Sequence, residues 1–170
     1  DGQAVVWAAN FQSGQYDQAV KSGVSSVAGH VVIQAPEYRE ERDDGMVVEK
    51  TDAMVQTLKQ EFPDDVVLRR IFLQGIINSP TNTSMAAVIA TEPAIDMQVG
   101  ELHEKLVEGE WLGDDDRAML LGQKMAESLG VTLGDKVVYM GQHGENDTFS
   151  RLFRVGGIIR TGLPQMDASM

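Results

Sequence analysis

The residues able to do chemistry are few and scattered. The chain has three histidines, His30, His103 and His143, and no cysteine. None of the histidines has a second His or a Cys at ligand spacing, so no zinc site is spelled out. Thiol catalysis, disulfides and cysteine-ligated metals are excluded outright. Asp114-Asp115-Asp116 offers hard carboxylate oxygens of the kind that suit Ca²⁺ or Mg²⁺. The triplet lacks the alternating ligand positions and distal Glu of an EF-hand loop, and an acidic turn is the expectation. Combined with His103, the triplet would give a metal-dependent hydrolase. That is the remote enzymatic alternative. His103 itself falls on the apolar side of a helical pattern, where a hydrogen-bonded histidine at the edge of the core is expected.

Phosphate cradles are absent: neither GxGxxG nor GxxxxGK[ST] occurs. No GxSxG nucleophile elbow occurs either, because Gly23-Val24-Ser25-Ser26 lacks its second glycine. Asn82-Thr83-Ser84 and Asn146-Asp147-Thr148 are formal glycosylation sequons, with meaning only in a eukaryotic secretory setting. The residues on their own describe an α/β module with no visible catalytic apparatus, and no cofactor or metal is expected.

The composition agrees with an ordinary folded domain. Of 170 residues, 42% are hydrophobic and 24% charged, and the formal net charge is −12. Such an acidic chain is repelled by phosphate backbones and anionic lipid, so nucleic-acid binding is not expected. The longest apolar runs, such as Met85 to Ala90, fall far short of the roughly 20 residues that span a bilayer. The chain opens on Asp1 with no signal-peptide pattern and stops at Met170 just after a polar turn, and an excised piece of a longer protein is expected.

The elements that must position these residues are clearest in AMLLGQKMAESLGVTLGDKVV, residues 118–138. An apolar strand, Ala118 to Leu121, ends at Gly122. A compact helix, Gln123 to Leu129, follows, with Met125, Ala126 and Leu129 on one face. Gly130 stands where a helix needs a left-handed terminating residue. Gly134-Asp135 marks a turn, and Lys136 to Met140 returns as a strand.

Elsewhere the pattern predicts a bent helix within residues 1–28 and a strand from Gly29 to Ala35. A charged loop is expected over residues 37–46, followed by a helix capped by Thr51 or Asp52 and reaching Phe62. Ala53, Met54, Leu58 and Phe62 would line one side of it. Two strands, within Val66 to Asn78 and Met85 to Thr91, flank the turn Ser79 to Asn82. Asp96 is expected to cap a helix from Met97 to Glu108, whose Val99, Leu102, His103 and Leu106 recur at helical spacing, with Gly109 ending it. A polar loop, Gly141 to Thr148, separates two strands expected to pair, the second being Phe149 to Ile159.

LLGQKMAESLGVTLGDKVVYM followed by FRVGGIIRTGLPQMD resembles the extracytoplasmic domain of FtsX-like ABC transporter permeases, the group that includes the LolC/LolE and MacB types. The matching residues are Leu121-Gly122, Met125-Ala126 (Met where the family has Leu), Leu129 to Val137, Phe153 to Ile158, and Thr161, Gly162 and Asp167. Gly29 to Tyr38 is similar to the family's GHxxIxxPxY strand. The resemblance implies an α+β, two-lobed periplasmic core domain set between the first two transmembrane helices of a permease. It makes residues 1–63 the first half of a membrane-proximal Porter-like lobe and 64–160 a distal Sabre-like lobe. Residues 161–170 would begin the return into a Porter-like lobe that is incomplete in this chain.

The resemblance further implies a non-enzymatic part of a membrane-embedded protein on the periplasmic face of the bacterial inner membrane. ATP hydrolysis would belong to a separate cytoplasmic ATPase subunit, and a second permease subunit would complete the transporter. Lipoprotein release or export is the implied activity, with a lipoprotein, a carrier or another envelope component as partner. In LolC-type permeases the loop before the FxVxG strand is long and carries proline. Here GQHGENDT is short and has none, so a LolE-like or generic subunit fits better. Gln142, His143, Glu145, Asn146 and Phe149 are the expected partner-contact residues. Gly122, Gly130, Gly134, Asp135, Gly162 and Asp167 are expected to be structural. The alternative from another class is a sensory or adhesive binding module of a membrane protein.

Overall fold

Gly130 has φ +66, and Val131 N–H and Gly130 N–H donate to the carbonyls of Ala126 (3.0 Å) and Glu127 (3.2 Å). This Schellman closure lets a seven-residue helix stop cleanly and hand over to the next strand. The computed structural model that shows it describes residues 5–8, 31–35, 47–143 and 147–170. Two compact units divide the chain, residues 1–68 and residues 69–170. Its secondary structure mixes helices and mainly antiparallel strands, an α+β arrangement.

In the first unit, β1 (Val5–Ala8) pairs antiparallel with β2 (Val31–Gln34). Val5 and Val6 therefore belong to a strand, against the expected helix over residues 1–28. Their β-branched side chains favour an extended backbone once a partner strand is present. The remainder of that expected helix and the charged loop over 37–46 lie outside the described residues. α1 spans Thr51–Glu61 as expected, but no side chain caps its N-terminus. Thr51 is already helical, and its hydroxyl donates to the Val48 carbonyl at 2.7 Å. Met54 and Leu58 are half-buried, whereas Ala53 and Phe62 are exposed.

In the second unit, β3 (Arg70–Asn78) and β4 (Thr83–Thr91) form a hairpin with nine cross-strand pairs and no register break. β3 also pairs with β7 (Lys136–His143), and β7 with β8 (Asp147–Ile159). The last residues of β8 lie between β5 (Leu106–Gly109), antiparallel, and β6 (Ala118–Gly122), parallel. Against β6 the register shifts where Gly156 enters β8 without a partner, a bulge that Gly156-Gly157 accommodates. α3 (Gln123–Leu129) buries Met125, Ala126 and Leu129 on the inner face of this sheet, against a core that includes Ile77, Leu121, Val137, Tyr139 and Val155. α4 (Pro164–Ser169) follows β8.

The expected helix from Met97 to Glu108 does not exist. α2 covers Pro93–Val99, a 3₁₀ turn covers Leu102–Lys105, and Leu106 already belongs to β5. Leu106 pairs with Ile159 of β8, a long-range ladder that outcompetes the local helical spacing. Asp96 lies inside α2 and caps nothing. Gly109, with φ +81, ends a strand instead of a helix. The expected loop from Gly141 to Thr148 is mostly strand, since β7 runs to His143 and β8 starts at Asp147.

Candidate functional site

The acidic triplet is held by structural bonds. Asp115 Oδ1 accepts from Arg117 N–H at 2.9 Å, and its carbonyl accepts from Ala118 N–H at 3.1 Å. Asp116 pairs with Arg151, whose guanidinium also stands 5.7 Å from the centroid of the Phe153 ring. Among the described residues no three His, Asp or Glu side chains gather as they would around a metal ion. His103 sits in the 3₁₀ turn, edge-on to Trp111 with ring centroids 6.1 Å apart. Its Nδ1 is buried without a hydrogen-bond partner, which corrects the expectation of a fully bonded ring. His30 lies outside the described residues, and His143 contributes the last backbone position of β7.

The residues that carry the resemblance are brought together although they are far apart in sequence. Gly122 closes β6, and its N–H donates to the Met170 carbonyl at 2.9 Å. A Cβ at Gly122 would collide with the Asp167 carbonyl oxygen and stand 2.8 Å from its carbonyl carbon, so only glycine lets β6 approach α4 this closely. Asp167 is 5% exposed, and its Oδ1 accepts from both the N–H and the hydroxyl of Thr161, each at 2.7 Å. Between them Gly162 takes φ +81 to turn the chain. At the other end of α3, Gly134 has φ +83, and Asp135 Oδ2 accepts from Thr132 N–H (2.8 Å) and Oγ1 (3.1 Å). This turn extends the sheet, because Gly134 N–H donates to Val155 O at 2.8 Å and Val155 N–H to Asp135 O at 2.9 Å.

The hairpin of β3 and β4 is tied to the same unit. Ser79 Oγ donates to the Leu129 carbonyl at 2.7 Å, filling one of the acceptors that a helix end leaves open. It also accepts from Asn82 N–H at 3.0 Å, which fixes the turn. This tertiary cap had a sequence signal in the Ser-Pro-Thr-Asn turn, but nothing there indicated its partner.

Of the expected contact residues, Gln142 is exposed on β7, while Phe149 lies on β8 at 37% exposure, its ring tilted over Tyr139 at 5.8 Å. Glu145 and Asn146 lie outside the described residues. Tyr139 fills the space beside Gly75 and Gly141, which pair across β3 and β7, and its hydroxyl donates to the Gln74 carbonyl at 3.1 Å.

Sequence reasoning missed two further features. Asp96 is 2% exposed and receives Arg70 in a two-point contact, Nη2 to Oδ1 at 2.9 Å and Nε to Oδ2 at 3.3 Å, with the Thr91 hydroxyl at 2.6 Å from Oδ2. It pins α2 over one end of the sheet's outer face. The same face also carries an apolar cluster that no described residue covers. Met85, Ile76 and Met140 stand side by side on neighbouring strands at 81%, 42% and 44% exposure, with Phe72 and Leu152 on the same side. Alternation in β3 and β7 gave the signal, but a two-sided apolar strand reads the same whether both faces or one is covered.

No protein-family model matches this chain, and no curated protein matches it.

Proposed function

We propose that this chain is the extracytoplasmic coupling domain of an FtsX-like ABC transporter permease subunit. It would move an envelope substrate, by lipoprotein release or export, in response to ATP hydrolysis on a separate cytoplasmic subunit. The observation that carries the reading is the convergence of the motif residues. Gly122, Thr161, Gly162 and Asp167 meet at one junction, while Gly130 and Gly134-Asp135 close the other end of the same short helix. Residues that share a structural task across such separations support reading the ordered pattern as a family signature and not as coincidence.

In this reading the domain is not an enzyme. The first unit corresponds to part of a Porter-like lobe, and the β3–β8 sheet with α3 forms the Sabre-like lobe. The parent protein is embedded in the bacterial inner membrane, and the domain works on its periplasmic side beside a second permease subunit. Gln142, near the turn of the β7–β8 hairpin, and the outer face beside it offer contact surface to a lipoprotein or carrier, with Phe149 adding to it on the Tyr139 side of the hairpin. Among the described residues no helix is long and apolar enough to cross a membrane, so the anchoring spans would come from flanking sequence.

Reading the coding sequence on both sides of the chain tests the proposal. One apolar segment of about 20 residues upstream and three downstream are expected. Flanks without hydrophobic segments overturn it.

A further inference from the structure

Among the described residues, no strand pairs with the outer edge of β4. β4 pairs with β3 alone, and no backbone hydrogen bond joins it to any other described element. Sheet edges in folded proteins carry devices that discourage pairing: lysine, proline, a bulge, brevity, or a covering helix or loop. β4 has none of the first four, while α3 lies against it, with Ser84 Oγ 3.3 Å from Ser128 Oγ. Its nine residues, Thr-Ser-Met-Ala-Ala-Val-Ile-Ala-Thr, include no charge and no proline, and its register against β3 is unbroken. The other outer strands are protected. β5 is four residues long with a register break beside Glu108, and β6 is five residues long with Gly122 packed against Asp167.

The sequence of β4 also complements itself. Set antiparallel against a copy about a two-fold axis through Ala87, Thr83 faces Thr91, Met85 faces Ile89, and Ala87 faces Ala87 on the outer side. On the inner side Ser84 faces Ala90 and Ala86 faces Val88. Every cross-strand pair is thus apolar with apolar or small with small, with no like charges opposed. In a chain of net charge −12, this uncharged strand is a place where two copies can approach without repulsion. Met85, 81% exposed, would gain the Ile89 of the other copy as cover.

We infer that the chain self-associates through β4, forming an isologous dimer in which two sheets join into one. The occupant of the edge is a second copy of this chain, and the inference stands independently of the transporter reading. Pairing of one strand buries less than a standard interface, so association in the micromolar range is expected.

Sedimentation of the 170-residue chain over a concentration series is the test. A reversible dimer is expected. Ala87→Lys places two ammonium groups across the axis and should raise the dissociation constant about five- to tenfold. Leu152→Lys, on the outer face but away from the edge, should leave it unchanged. Because the chain has no cysteine, Ala87→Cys supplies a single thiol. Facing residues in such a pair stand about 4.5–5.5 Å apart between Cα atoms, within disulfide reach, so mild oxidation should give a covalent dimer. A chain that stays monomeric throughout, as it would if the edge serves a different protein, overturns the inference. So does a dimer insensitive to Ala87→Lys, a dimer lost on Leu152→Lys, or an Ala87→Cys chain that does not cross-link.

Discussion

Two glycines in the same short stretch are needed for different physical reasons, and substitution separates them. An added Cβ at Gly134 would meet nothing within 4 Å, so the demand there is its φ of +83. Gly134→Val should cost about 1–3 kcal/mol, while Gly134→Asn, which tolerates left-handed backbone, should cost much less. Gly122 has an ordinary φ of −61, and its demand is proximity to the Asp167 backbone. Gly122→Ala should cost about 1–3 kcal/mol through forced separation of β6 and α4, and Asn should be no better than Ala. Urea denaturation of the four variants measures both patterns. Asp96 belongs to the same scale. Asp96→Ala withdraws the carboxylate from a guanidinium whose side chain is 11% exposed, and about 3–5 kcal/mol should be lost. Asp96→Asn, which retains acceptor and donor capacity, should lose less.

At the scale of elements, the well-punctuated unit was legible and the long-range one was not. β6, α3 and the start of β7 follow from Gly122, Gly130 and Gly134, because each glycine marks a backbone requirement that is local. The β3–β4 hairpin follows from its polar turn for the same reason. The stretch after Met97 misled because Val99, Leu102, His103 and Leu106 do recur at helical spacing. What decides it is Ile159, more than fifty positions later, which takes Leu106 into a ladder. Asp96 misled likewise: an acid before an apolar run looks like a cap until Arg70, from a strand 26 residues earlier, claims it. Among the site expectations, the acidic triplet was legible as a turn, whereas the open apolar face was not, since strand periodicity does not say which face stays uncovered. Ser79 couples two elements, and Ser79→Ala should cost about 1 kcal/mol by removing the shorter of the two hydroxyl bonds to the Leu129 carbonyl, the other coming from Thr81 Oγ1 at 3.4 Å. A lowered melting temperature with an unchanged circular dichroism spectrum is the expected result.

At the scale of the whole molecule, every member of the buried core cluster among the described residues falls within residues 69–170. The fragment Arg69–Met170 should therefore fold alone, with a cooperative thermal transition, and a broad non-cooperative melt would refute its independence. The order of synthesis has its own consequence. β8 follows β5, β6 and β7 in the chain, yet it is the shared partner of all three. As the chain is made, β5 and β6 have no ladder partner among the described strands until β8 follows, whereas β3, β4 and β7 can already pair. The nascent chain thus displays the uncharged β4 edge on a half-built sheet. Neighbouring chains on one messenger would meet there first, making this edge the point where assembly and misassembly begin to compete.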